Sequence, residues 1–177
     1  HPEPVRSILI ACVEADWKVT DQTDHDSRVA WWLSHTVPSL QSLMAPDIIA
    51  LLRRGDPGRP DLFLELISVV LRGLPTSTTD IAALAAERLP LLPLDAPLAT
   101  PWLIVWLWLD ASSAIDWLEA THSSTPTESM DAFFLSLGAW MERDRPDTKP
   151  TDRPPDYHDP YALYRLVRLC YEHIRPV

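Results

Sequence analysis

The chain has little of what β-structure requires. Only four of its 177 residues are glycine, the residue that most readily adopts the backbone angles of tight hairpin turns. Nowhere do apolar and polar residues alternate over five or more positions between turn signals, as they would in half-buried strands. These two absences exclude a β-rich fold, and we expect an all-α protein with almost no strand.

Cysteine and lysine are also scarce, which bears on where the protein belongs. Cys12 and Cys170 each have apolar neighbours at helical spacing, as buried free thiols do in a reducing compartment. No signal peptide opens the sequence, so we expect a cytoplasmic location. The only lysines are Lys18 and Lys149, and the many alanines, prolines and aspartates favour a bacterial origin. Because the sequence begins with His1 and not with methionine, we expect it to be a segment of a larger protein.

Positive charge and long apolar runs are missing as well. The formal net charge is −10, which repels phosphate backbones and anionic lipid surfaces alike. The apolar run from Trp102 to Leu109 is far shorter than the roughly 20 residues that cross a bilayer. We therefore expect neither nucleic acid nor a membrane as a partner.

Apolar residues at helical spacing predict the first and last helices and the faces that they bury. Residues 3–18 should form a helix with a buried face of Val5, Ile8, Leu9, Cys12 and Val13. A second helix, carrying Val29, Trp32 and Leu33, should end before Pro38. The last helix should bury Leu163, Leu166, Val167, Cys170 and Ile174 and expose Arg165, Arg168, Glu172 and Arg175.

Prolines, glycines and capping residues predict where the other helices begin and end. Proline is favoured at a first helical position, so we expect starts at Pro46, Pro60, Pro101 and Pro126. Gly55 and Gly73 follow arginines and should end two helices as C-terminal caps. Three pairs resemble capping boxes, namely Ser77 with Asp80, Ser113 with Asp116, and Thr125 with Glu128.

The chain should divide into a helical body over residues 1–143, a proline-rich linker over 144–160 and a docking helix over 161–177. Two segments open with a very apolar helix, at Pro60 and Pro101, and a shorter helix follows each of them. Such spacing is typical of helix-pair repeats. We predict stacked helical hairpins of the HEAT or TPR kind, with a compact helical bundle as the alternative.

Motifs for catalysis and cofactor binding are absent. The chain has no zinc-type cysteine pairs, no G-x-S-x-G sequence and no phosphate-binding loop. Glu119 and His122 have the Glu-x-x-His spacing of di-iron bundles, but such sites need a second pair and two more glutamates. We therefore predict no enzyme and no cofactor, and keep a small metal enzyme using Glu119 and His122 as an alternative.

Binding to another protein is the function that these residues favour. Most of the eight tryptophans should fill the core, whereas an exposed Trp31 or Trp108 could anchor a partner, because aromatic anchors dominate interface energies. Arg165 and Arg168, on the expected solvent face, complete the predicted partner-binding set. A purely structural inter-domain module is a further alternative.

Two stretches carry a resemblance to a known class. The sequences SAIDWLE, residues 113–119, and YALYRLVRL, residues 161–169, resemble the helical-repeat arms of large bacterial NACHT- or STAND-type ATPases of antiviral defence. The resemblance covers roughly residues 60–177 and implies a TPR-like or HEAT-like arm that senses a foreign protein. The ATPase motifs of that class are missing from this chain.

Overall fold

The computed structural model describes residues 3–19, 28–142 and 156–173. Within them the chain forms nine α-helices, three 3-10 turns and no strand, which confirms the all-α prediction. The helices are α1 Glu3–Trp17, α2 Arg28–Ser34, α3 Pro38–Arg54, α4 Pro60–Gly73, α5 Thr78–Arg88, α6 Ala99–Leu109, α7 Ala111–Ser124, α8 Thr127–Glu142 and α9 Pro160–His173. None of these described helices is both long and apolar enough to cross a bilayer.

The described helices fall into two compact units, one with α1–α4 and the other with α5–α9. In the first unit α4 lies at the centre and packs on α2 and α3, while α1 packs on α3. The start of α4 at Pro60 confirms the proline prediction. Its core side chains are fully buried, among them Leu62, Phe63, Leu66, Ile67, Val69 and Val70.

Gly73 does end α4, but for a different reason from the one predicted. No described glycine has a positive φ, so neither Gly55 nor Gly73 forms a left-handed cap. A Cβ on Gly73 would lie 2.5 Å from Gln41 O and 2.7 Å from Ser42 N. Gly73 therefore permits close contact between the end of α4 and the backbone of α3.

Pro46 lies inside α3 and does not start a helix, so that prediction was wrong. The helix begins at Pro38 and runs through Pro46 to Arg54. An internal proline removes one hydrogen bond to the carbonyl four residues earlier, here that of Ser42. Since Ser42 and Pro46 are both exposed, this side of the helix faces solvent, and water can bond the freed carbonyl.

The second unit is built around α6, which packs on α7 and α8, while α9 packs on α7 and α8. The helix α6 is buried on nearly every side, including Trp102, Leu103, Val105, Trp106, Leu107 and Trp108. The helix α8 packs on α6 with Met130, Phe133, Phe134 and Leu137 buried.

Two of the predicted capping boxes are wrong, and two helices begin near the predicted prolines. Asp110, not Ser113, caps α7, because its side chain accepts a hydrogen bond from Ser113 N at 3.2 Å. Ser77 lies in a 3-10 turn, where its hydroxyl donates to Leu74 O at 2.6 Å. The helices α6 and α8 begin at Ala99 and Thr127, two positions before Pro101 and one after Pro126.

The terminal helices α1 and α9 expose part of the apolar faces that were predicted to be buried. In α1 the side chains of Val5 and Ile8 are 50% and 64% exposed. The inner side of α1 instead carries Arg6, which binds Asp47 on α3 through two hydrogen bonds of 2.6 and 2.8 Å. Hydrophobic spacing alone could not reveal this ion pair, because its residues are 41 positions apart.

Much of the predicted linker, residues 144–155, lies outside the described residues. Its last part forms the 3-10 turn Asp156–His158, which packs on the second unit. The side chain of Asp156 accepts a hydrogen bond from Ala111 N at 3.0 Å. This turn leads directly into α9, which begins at Pro160.

Candidate interaction surfaces

The structure separates the four residues predicted to bind a partner. Trp31 is 55% exposed on α2, whereas Trp108 is only 5% exposed within α6. The expected exposure of Trp108 was wrong because Tyr157 covers its ring edge-on, at a centroid distance of 6.2 Å. Arg165 and Arg168 lie on α9 and contact α7.

Arg165 and Arg168 attach α9 to the rest of the second unit. Arg165 Nη2 lies 2.6 Å from Asp116 Oδ1 and 2.8 Å from Glu119 Oε2. Arg168 Nη2 lies 3.2 Å from Glu119 Oε1. The hydrogen bond from Arg165 lowers the pKa of Glu119. Arg165, with a side chain only 13% exposed, was therefore wrongly placed on the solvent face.

The alternative metal site at Glu119 and His122 finds no support in this geometry. Both oxygens of Glu119 already bind arginine. The ring of His122 lies edge-on to that of His173, with centroids 4.8 Å apart. In the described ranges no three His, Cys, Asp or Glu side chains are grouped so that they could hold a metal.

The buried side of α9 carries Ala162, Leu166 and Leu169, and further apolar residues lie on its outer face. We define this outer face of α9 by Leu163, Tyr164, Val167 and Tyr171, which are 40%, 64%, 56% and 72% exposed. Their spacing places them on one side of the helix. Leu163 and Val167 had been predicted to be buried, so the structure corrects both assignments.

A second exposed surface surrounds the end of α2. We define this aromatic surface by Trp31, Trp32, His35 and Val37, of which Trp32 and Val37 are 48% and 60% exposed. The ring of His35 stacks on Trp31, with centroids 4.5 Å apart and an interplanar angle of 27°. Trp32 had been assigned to this helix without being singled out as a binding residue. Ala30 and Leu33 form the apolar buried side of this short helix. A buried side this narrow is the signal that could have identified Trp32 as exposed.

Buried polar groups hold the carboxyl end of α2 beneath the aromatic surface. Gln41 Nε2 donates to Leu33 O at 3.1 Å and to Ser34 O at 2.9 Å. Arg72 Nη1 donates to the same Ser34 carbonyl at 2.9 Å. The last carbonyls of a helix lack partners within it, and a cation is favoured beside them. Groups from α3 and α4 therefore fix the end of a helix only seven residues long.

Ser34, His35 and Glu65 have the residue types of a nucleophile, a base and an acid, but their arrangement is structural. The Ser34 hydroxyl donates to Trp31 O at 2.8 Å and lies 2.9 Å from His35 Nδ1. Burial raises the pKa of Glu65, whose carboxylate also bonds Ser34. Because Ser34 is only 2% exposed, its oxygen is closed to a substrate.

Comparison with protein-family models, with curated proteins and with solved structures finds no match for this chain.

Proposed function

We propose that this chain is a non-catalytic, helical interaction module that binds a protein partner through the aromatic surface of α2. The observation that carries this proposal is the adjacent pair of half-exposed tryptophans, Trp31 and Trp32. Burying an aromatic side chain of this size removes a large apolar area from water, at roughly 25 cal/mol per Å². Tryptophan is accordingly among the residues that contribute most to binding energy.

The polar support of α2 favours binding as well. Side chains that are already fixed lose less conformational freedom when a partner docks. Gln41 and Arg72 hold the carbonyls at the end of α2, those of Leu33 and Ser34, and His35 stacks on the Trp31 ring. The surface is thus preformed and requires little ordering when it is covered.

The proposal also covers the kind of protein to which this chain belongs. The resemblance of residues 113–119 and 161–169 to helical-repeat arms favours a sensor arm of a bacterial, cytoplasmic defence ATPase. In this setting the chain recognises a foreign protein and carries no nucleotide site of its own. Stacking of its hairpins as a repeat belongs to this proposal too.

The test is a comparison of three forms of the tagged chain in its native cells. Proteins recovered by the wild type are compared with those recovered by a variant carrying Trp31→Ala and Trp32→Ala. Leu91→Ala is the matched control, because Leu91 is 78% exposed but lies in the second unit. A recovered partner is then purified and its Kd measured directly.

We expect a partner that binds the wild type and the Leu91 variant equally, with a Kd at least tenfold higher for the tryptophan variant. Circular dichroism should show that all three forms remain folded, since the changed side chains are exposed. If every partner bound the tryptophan variant as tightly as the wild type, the proposal would be wrong.

A structural inter-domain role is the second candidate, and the outer face of α9 favours it. An apolar stripe of this kind suits the next helix of a longer helical array, where each repeat packs on its neighbours. Val167→Asp should then leave the isolated chain as stable as before but destabilise the full-length parent protein. Equal stability of the two parent proteins would remove this candidate.

A further inference from the structure

The helix α9 is apolar on two opposite sides. One side is buried against α7 and α8 through Ala162, Leu166 and Leu169. The other is the outer face of α9, whose four residues lie within an arc of about 100° at 100° per residue. A helix that is apolar all round is normally buried all round, so the outer face calls for a second packing layer.

The spacing of the outer face of α9 is symmetric about Val167. Leu163 and Tyr171 lie four positions before and four positions after it, about one turn away on either side. In an antiparallel pair of identical helices with a twofold axis at Val167, this residue meets its counterpart. Leu163 of one copy then lies beside Tyr171 of the other, so that a smaller side chain meets a larger one. The face is thus complementary to itself, as a twofold interface requires.

The surface available on α9 is large enough for a dimer. Tyr161, which is 70% exposed, flanks the outer face of α9, and the guanidinium carbon of Arg165 lies 5.8 Å from its ring centroid. Together with the outer face it exposes roughly 700 Å² per copy, or about 1,400 Å² for two copies. Specific interfaces bury about 1,200–2,000 Å² in total, so this area suits a dimer near the lower limit.

The charges of α9 also suit a second copy. The outer face of α9 carries no charged residue, so it offers no ionic pattern that would select an unlike partner. An antiparallel pair places the N-terminus of each helix beside the C-terminus of the other, where their dipoles attract. Arg168, on the neighbouring side of the helix, is paired with Glu119 at 3.2 Å. Two copies therefore meet without bringing unpaired arginines together.

We propose that two copies of this chain associate through the outer face of α9, in an antiparallel arrangement about Val167. The second copy occupies the surface that the next helix of a longer array would cover in the structural role considered above, so the two occupants exclude each other. The proposal does not involve the aromatic surface of α2, and the two can hold or fail separately.

Sedimentation equilibrium of the whole chain measures the association. We expect a monomer–dimer equilibrium with a Kd of about 10 µM, as befits an interface of this size. Val167→Asp should raise this Kd at least tenfold, because two carboxylates would then face each other across the axis. Leu135→Asp is the matched control and should leave the Kd unchanged, since Leu135 on α8 is 58% exposed and Val167 is 56% exposed. Circular dichroism should show that both variants remain folded.

Disulfide cross-linking tests the register in a protein that carries Cys12→Ser and Cys170→Ser. Oxidation should join two chains of the Val167→Cys variant, because position 167 meets its counterpart at the axis. In the Leu163→Cys variant the two thiols would be about 12 Å apart along the pair, beyond the reach of a disulfide, and the chains should stay separate.

A wild type that remains monomeric at about 200 µM, some twenty times the expected Kd, would overturn the proposal. Equal effects of Val167→Asp and Leu135→Asp, or equal cross-linking at positions 163 and 167, would overturn it as well. If the wild type were monomeric and Val167→Asp destabilised the full-length parent protein, the occupant of the face would be the next helix of that chain.

Discussion

Replacing Gly73 by alanine should destabilise the first unit by about 2 kcal/mol. The new Cβ would lie 2.5 Å from Gln41 O and 2.7 Å from Ser42 N. Both contacts are with backbone, so no flexible side chain can move aside. Forced overpacking costs typically 1–3 kcal/mol. The strain also threatens the hydrogen bond from Ser42 Oγ to Gly73 O, worth about 1 kcal/mol, while alanine returns at most about 1 kcal/mol of helix propensity.

Urea denaturation followed by circular dichroism measures this loss in the free energy of unfolding, and thermal unfolding measures the corresponding change in Tm. For a cooperative unit of under 100 residues, about 2 kcal/mol corresponds to a Tm lower by about 8–16 °C. Gly55→Ala is the matched control, because a Cβ there meets nothing within 4 Å and its backbone is extended. We expect this control within about 0.5 kcal/mol of the wild type. If both variants were equally stable, the close contact of α4 with α3 would not constrain Gly73.

Three further predictions concern charged and titratable groups. Arg165→Met should lower the free energy of unfolding by about 1–2 kcal/mol, because Asp116 loses its cation and Glu119 keeps only Arg168. Arg168→Met should lower it by less, since the Arg168 side chain is 53% exposed. Equal losses in urea denaturation at low salt would contradict this. Burial raises the pKa of Glu65, so ionisation of this carboxyl group opposes folding. The free energy of unfolding of the wild type, relative to that of Glu65→Gln, should therefore fall as the pH rises from about 4 to 7. A difference independent of pH in the same assay would refute this. Burial also raises the pKa of Cys170 to about 11. In a Cys12→Ser protein the Cys170 thiol should therefore react with iodoacetamide about 100-fold more slowly in the folded state than in concentrated urea. Similar rates in the two states would disprove this prediction.

The local signals in the sequence predicted what depends on neighbouring residues. Proline at position 60 and the absence of strand patterns indicated a helix start and the all-α class, and both are confirmed. The apolar residues of α8 recur at helical spacing, and Met130, Phe133, Phe134 and Leu137 are buried. Such features are decided within one or two turns of helix.

Features that depend on distant residues could not be predicted from spacing. Arg6 of α1 pairs with Asp47, and Arg165 of α9 pairs with Asp116. The partners in each pair are more than 40 positions apart, so no local pattern reveals them. The buried side of α9 carries Ala162, Leu166 and Leu169, which leaves Leu163 and Val167 on the outer face of α9.

The candidate site on α2 also combines a residue that the sequence indicated with residues that it did not. Trp31 could be singled out because tryptophan is a frequent interface residue, and the structure leaves it exposed. Gln41 and Arg72, which hold the end of α2, come from two other helices, and no local pattern in the sequence indicates them.

The burial of α6 on nearly every side has a consequence for synthesis on the ribosome. Trp108 is covered by Tyr157, which is added roughly fifty residues later, or about 2–10 s at ordinary translation rates. During that interval the nascent chain displays its most apolar helix without its cover. Folding of this unit should therefore depend on chaperones that shield the emerging segment, and slow translation after α6 should increase aggregation.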